Sequence, residues 1–138
     1  MNDVAYIALG SNLGDRHAFL ARARSALAAL PESRILAASS IEETEPLGRL
    51  DQPRYLNQMV ALETALSPRA LLCHLHEIEA RAGRTRHQRW GSRTLDLDIV
   101  CFDRQTVEES TLRVPHPELP NRGFWQRELA ELRGEEIA

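Results

Sequence analysis

The apolar residues of this chain recur at two different periods, and the order in which those periods alternate limits the folds open to it. "VAYIALG" (4–10) is a short, nearly continuous apolar run closed by Gly10, the pattern of a buried central strand. Leu20, Ala23, Leu27 and Leu30 then recur at helical spacing, with Asp15 placed to cap the helix and Pro31 to stop it. "RILAASSIEET" (34–44) alternates Ile35, Ala37, Ser39 and Ile41 as a half-buried strand does, and "YLNQMVALET" (55–64) alternates again. Ser67-Pro68 is a cap with a first-turn proline, and it opens a helix whose stripe of Leu71, Leu75, Ile78 and Ala82 ends at Gly83. "TLDLDIVCF" (94–102) returns to the strand period, with Leu95, Leu97, Ile99 and Cys101 expected on one side.

Strand, helix, strand, strand, helix, strand is the βαββαβ order of ferredoxin-like α/β (α+β) folds: a mainly antiparallel sheet with helices packed on it. The helices are expected to cover one sheet face and leave the other free. Residues 103–138 form a C-terminal extension, read as loop with short strands through "TLRVPHPELPNRGF" and then a helix in "FWQRELAELRGEEI". At 138 residues the whole chain, 1–138, fits a single domain with its own core. No apolar run reaches the roughly 18 residues of a membrane span, and the N-terminus lacks the basic flank of a signal peptide, so no membrane is expected and the cytoplasm is the expected location. A net charge of -3 argues against general affinity for nucleic acid. Cys73 and Cys101 both lie in apolar periodic segments and read as buried thiols.

The strand at 94–102 carries a further signal. Asp96 and Asp98 alternate with its apolar residues, so both carboxylates project from one face, with attachment points about 6.7 Å apart at the usual strand rise. Two like charges repel unless a cation joins them, and hard oxygen ligands favour Mg²⁺ over zinc. A solvated polar face would give the same pattern. The connection before it, Gly83 to Thr94, is longer than most and carries Arg84, Arg86, Arg89 and Arg93 with no acid among them. Guanidinium forks match phosphate oxygens, and carboxylates holding Mg²⁺ beside arginines are what a polyphosphate requires.

Tyr55 and Asn57 lie two apart on one strand and share a face, where a ring and an amide fork suit a flat heterocycle, or ordinary cross-strand packing. "GSNLGDR" (10–16) joins a strand to a helix. It reads as a tight turn, or as a loop whose backbone amides approach an anion. His74 and His76 point to different helix faces and are poor metal ligands, whereas His116, between two prolines, is placed to touch a ligand. No Ser-His-Asp or Cys-His set stands out.

Together these blocks resemble the hydroxymethyl-dihydropterin pyrophosphokinases of folate biosynthesis. The likeness runs in order through "YIALGSNLGDR", "ETEPLG", "DQPRYLNQMVALET", "GRTRHQRWGSRTLDLDIV" and "VPHPELPNRGF", about residues 4–124. It implies a ferredoxin-like fold and transfer of pyrophosphate from ATP to the hydroxymethyl group of the reduced pterin, with AMP released. By position, the resemblance makes Asp96 and Asp98 ligands of two Mg²⁺ ions. Arg84, Arg86 and Arg93 become catalytic arginines that close on the phosphates, with Trp90 folding over the site. Glu79, Ile99, His116 and Arg122 join the nucleotide site, and Thr44, Pro46, Leu47, Tyr55, Asn57 and Phe124 form the pterin pocket with Trp90 and Asp96, the ring lying between Tyr55 and Phe124.

Thr111 stands where several family members carry a basic residue, so Arg113, two residues on, is the candidate for that phosphate contact. After Phe124 the family is more apolar and includes a proline, whereas this chain reads "WQRELAELRGEEIA". A monomer is expected, with a functional link to dihydropteroate synthase. A noncatalytic binder of the heterocycle would have no use for the acid pair and arginines. A ferredoxin-like RNA-binding module would need surface aromatics and a basic excess that this chain lacks.

Overall fold

The computed structural model describes residues 2–45, 53–83 and 94–134. The elements follow the expected order: β1 (Asp3–Ser11), α1 (Arg16–Ala28), β2 (Ser33–Ala38), β3 (Glu42–Thr44), β4 (Tyr55–Thr64), α2 (Pro68–Arg81) and β5 (Asp96–Phe102). Beyond them come a small hairpin of β6 (Val107–Glu109) and β7 (Leu112–Val114), a single 3-10 turn at Leu119–Asn121, and α3 (Gly123–Arg133). The main sheet runs β2-β4-β1-β5, with β3 also paired to β4 and the pairs antiparallel, as in a ferredoxin-like α+β fold. Among the described residues no helix is long and apolar enough to cross a membrane.

Local chemistry sets the helix limits. Asp15 accepts a hydrogen bond from Ala18 N at the start of α1, Ser67 does the same for Ala70 N at the start of α2, and Pro68 occupies the first turn of α2. Gly83 and Gly134 take φ of 80° and 68° just past α2 and α3, a left-handed conformation that a Cβ disfavours. Leu20, Leu27, Leu71 and Leu75 are fully buried against Ile7, Leu9, Leu62, Leu97 and Ile99. Each such side chain contributes about 2 kcal/mol of transfer free energy, so this shared face fixes α1 and α2 more firmly than helix propensity does.

Four expectations need correction. The strand read across 34–44 is broken at Ser39. There the backbone N–H bonds Met59 O, but the Ser39 hydroxyl, not a carbonyl, accepts the Met59 N–H, so the ladder lapses before β3 begins. The second sheet face is not left free: α3 packs on it, burying Trp125 and Leu129 against Tyr6, Ala8, Met59, Ala61 and Val100. Cys101 does not follow Leu97 and Ile99. The β1–β5 register slips between Tyr6 and Ile7, the extra residue is Val100, and this bulge turns Cys101 to the α3 face. Cys73 is exposed, because it lies off the Leu71–Leu75–Ile78 stripe that faces the sheet.

Candidate active site

The register of the three inner strands assembles the site. Gly10 of β1 lies opposite Asn57 of β4 on one side and Asp96 of β5 on the other. The next row is Met59, Ala8 and Asp98. Directly opposed residues share a face, and alternation brings Tyr55 to the same face as Asn57. The aromatic–amide pair and the acid pair therefore stand on one surface, their outer strands about 10 Å apart. Gly10 is the gap between them. A Cβ there would lie 3.4 Å from both Asn57 Oδ1 and a Tyr55 ring carbon, so the absent side chain keeps this floor open.

At the amide end, Asn57 Nδ2 donates to Thr44 Oγ1 at 2.5 Å, across the short β3–β4 ladder in which Thr44 faces Tyr55. Phe124 stands in the first turn of α3, partly buried against the cluster that includes Met59 and Ala8. Thr44, Tyr55 and Asn57 are thus gathered at one end of this face, while Phe124 meets the Trp125 ring edge-on at 6.2 Å. Pro46 and Leu47 lie outside the described residues, as do Arg84, Arg86, Trp90 and Arg93.

At the acid end, Asp96 and Asp98 are half-buried while Leu95, Leu97 and Ile99 are buried, the alternation expected of this strand. They border a cavity of about 340 Å³ whose wall also includes Glu79, Ile99, Arg113 and His116, four members of the expected nucleotide set. β5 is an edge strand, and Glu79 Oε2 accepts the N–H of Leu97 at 2.8 Å, between the two aspartates. A helix carboxylate here takes the place of a neighbouring strand and fixes the β5 backbone that presents the acids.

His116 is held at three points. Its backbone N–H donates to Val100 O at 2.8 Å, and its Nδ1 accepts the Glu118 N–H at 3.0 Å, which leaves Nε2 as the protonated nitrogen of the neutral ring. That nitrogen lies 3.9 Å from Asp98 Oδ1. Burial pushes the imidazole pKa down, the Asp98 charge pulls it up, and Arg122 lowers it again; the net direction is downward, favouring the neutral ring.

Arg122 is not part of the cavity wall, but it is tied to it through Trp125. The indole is 2% exposed, the Arg122 guanidinium lies 4.4 Å from its centroid, and the His116 ring meets it edge-on at 5.0 Å.

Sequence reasoning missed several residues. Leu72, His76 and Ser110 also line the cavity, and Trp125 backs it through its ring contact with His116. His76 was legible in principle, since it precedes Glu79 by three residues and so shares its helix face. Thr111 and Arg113 both line the cavity, and Thr111 Oγ1 accepts a bond from Arg69 Nη1 at 3.0 Å.

Among the described residues no three His, Cys, Asp or Glu side chains converge as a closed metal cage. Two neighbouring carboxylates facing an open cavity fit a magnesium site completed by phosphate oxygens and water, since Mg²⁺ is usually bound through one or two protein carboxylates plus substrate.

A protein named 2-amino-4-hydroxy-6-hydroxymethyldihydropteridine pyrophosphokinase from Bacillus subtilis (strain 168) is 46% identical over 132 residues, 96% of this chain and 79% of that protein. One of the same name from Pseudomonas aeruginosa is 45% identical over 127 residues, 92% of this chain and 78% of that protein. The bifunctional protein FolKE of Lactococcus lactis subsp. cremoris is 36% identical over 127 residues, 92% of this chain but 36% of that protein. The family model for 7,8-dihydro-6-hydroxymethylpterin-pyrophosphokinase matches residues 6–134, and the chain belongs to that family.

Proposed function

We propose that the chain transfers pyrophosphate from ATP to the hydroxymethyl group of 6-hydroxymethyl-7,8-dihydropterin, in tetrahydrofolate biosynthesis, with two Mg²⁺ ions held by Asp96 and Asp98. The observation that supports this reading is the row Asn57–Gly10–Asp96, in which an amide and one of the two acids stand on one sheet face with only a glycine between them.

The pterin hydroxyl oxygen attacks the β-phosphorus of ATP in line. A new O–Pβ bond forms, the bond from Pβ to the oxygen bridging Pα breaks, and that oxygen leaves with its electron pair on AMP. Mg²⁺ held by Asp96 and Asp98 would supply charge that eases loss of the hydroxyl proton to solvent and stabilises the departing phosphate. The chain's own contribution is mainly positioning. Asn57, hydrogen-bonded to Thr44, reads the heterocycle edge, with Pro46 and Leu47 completing the pocket and Tyr55 and Phe124 on its two faces. Glu79 holds the acid-bearing strand, and Ile99 with the other cavity residues cradles the nucleotide. Arg113, Arg122 and His116 meet its phosphate and sugar groups. Arg84, Arg86 and Arg93 neutralise developing charge, and Trp90 helps exclude the water that would hydrolyse ATP. Action as a cytoplasmic monomer, upstream of dihydropteroate synthase, belongs to the same proposal.

The direct test is to incubate the protein with ATP, Mg²⁺ and the hydroxymethyl-dihydropterin and to quantify nucleotides. AMP is expected in equal amount to the pterin diphosphate, and EDTA is expected to stop its formation. Formation of ADP, or of AMP without pterin, would overturn the reading. A second outcome concerns the support behind the cavity. Trp125→Leu removes the surface shared by Arg122 and His116, and it is expected to raise KM for ATP about three- to tenfold, the scale of one cation–π contact plus one ring contact. KM for the pterin should move less, and Trp125→Phe should restore most of the loss.

A further inference from the structure

The "GSNLGDR" turn makes a set of contacts that the proposed chemistry leaves unexplained. Asn12 is 1% exposed, and its Nδ2 reaches across the fold to donate to Pro53 O at 3.1 Å. Arg16 Nη1 donates to Arg54 O at 2.8 Å and to Glu43 Oε2 at 3.0 Å. Arg54 in turn pairs with Glu43 at 3.6 Å and with Glu45 at 2.9 Å. Asn12 and Arg16 thus hold two separate stretches of chain, Glu43 and Pro53–Arg54, and Arg54 carries the link on to Glu45.

Those stretches flank the heterocycle end of the site. Glu43 and Glu45 bracket Thr44, and Pro53 and Arg54 lead into Tyr55. The Thr44–Tyr55 pair is the last rung of a ladder only three residues long, on the sheet edge. That ladder cannot be extended through Pro53, which has no N–H to donate. A short edge ladder holds its last rung weakly, and here that rung carries two residues of the pterin pocket. The contacts of Asn12 and Arg16 go mainly to backbone carbonyls just beyond the rung, where they replace the missing ladder bonds.

We propose that Asn12 and Arg16 are positioning residues for the pterin: by fixing the chain on both sides of the Thr44–Tyr55 rung, they hold Thr44, Tyr55 and Asn57 in the arrangement that receives the ring. This rests on the pyrophosphokinase reading, but it assigns the turn a role in pterin binding rather than in nucleotide binding.

The test is steady-state kinetics on Asn12→Ala, Asn12→Asp, Arg16→Ala and Arg16→Lys, each substrate varied in turn, with thermal melting alongside. Loss of one such hydrogen bond corresponds to about five- to tenfold in an equilibrium constant. KM for the pterin is expected to rise by about that factor in Asn12→Ala and Arg16→Ala. It should rise at least as far in Asn12→Asp, which keeps the shape but turns a donor into an acceptor facing the Pro53 carbonyl. KM for ATP should stay within about twofold. Arg16→Lys, which retains a cationic donor, should recover part of the loss. Calorimetric titration of the pterin in the presence of Mg²⁺ and α,β-methylene-ATP should show the same weakening without turnover. A lowered melting temperature with unchanged pterin KM, or equal rises in both KM values, would overturn the positioning role while leaving the pyrophosphokinase reading intact. A wild-type protein that forms no AMP from this pterin would overturn both.

Discussion

Asp96→Ala and Asp98→Ala are each expected to lower kcat by about a hundredfold or more, the usual scale for removing a preorganised charge at a phosphoryl-transfer centre. The fold should survive. Both side chains are half-buried, their neighbours Leu95, Leu97 and Ile99 carry the packing, and the β5 backbone is held independently by Glu79 through the Leu97 N–H. Without divalent cations, the melting temperature of each variant should stay close to that of the wild-type protein. With Mg²⁺ and α,β-methylene-ATP, the wild-type protein should melt higher by linkage, and that increment should shrink or vanish in both variants. The pair of readouts separates metal ligation from folding. Full turnover in either variant, or an undiminished magnesium–nucleotide increment, would remove that aspartate from the metal site.

Why the acid pair was legible and its surroundings were not follows from the range over which each feature is encoded. The pleat has a strict period of two, so Leu95-Asp96-Leu97-Asp98 announces its two faces by itself, as the caps at Asp15 and Ser67 announce their helices. The bulge at Val100 depends on how β5 meets Tyr6 and Ile7, some ninety residues earlier in the chain, and nothing within "DIVCF" marks it. Hence Cys101 was placed on the wrong face. The break at Ser39 is likewise settled by a partner, because its hydroxyl meets the Met59 N–H only once β2 and β4 are in register. Gly10 reads as the end of an apolar run. That it separates Asn57 from Asp96 is a statement about three strands at once. The pattern of α3 predicts a helix without saying which sheet face it will cover, and so the supporting role of Trp125 behind His116 and Arg122 stayed hidden.

The departure after Phe124 has a stability consequence. Glu128 lies on the buried side of α3, 3% exposed, and among the described residues neither carboxyl oxygen has a hydrogen-bond partner. Burial is the main reason its pKa is raised from 4.5 to about 8; Glu42 of β3 and Glu131 of α3 add to the rise, while Arg127 opposes it. Arg127 is itself engaged with Glu42, at 2.8 Å. In the unfolded chain the group titrates near 4.5, so between there and pH 8 the native state keeps a proton that the unfolded state has shed. Raising the pH through this window therefore favours unfolding, with no penalty below the window and the full penalty above it. At about 1.4 kcal/mol per pKa unit the cost reaches a few kcal/mol, on the order of 5 °C or more in melting temperature for a chain of this size. Glu128→Gln, which cannot ionise, is expected to melt higher than the wild-type protein by about that amount at pH 8 and to differ little at pH 5. Glu128→Leu should behave similarly at pH 8 and retain part of its advantage at pH 5, because it also removes the unpaired polar atoms. Equal melting of Glu128→Gln and the wild-type protein at pH 8 would mean that the carboxyl finds water or a cation in the folded state, and that the α3 interface opens locally to admit it.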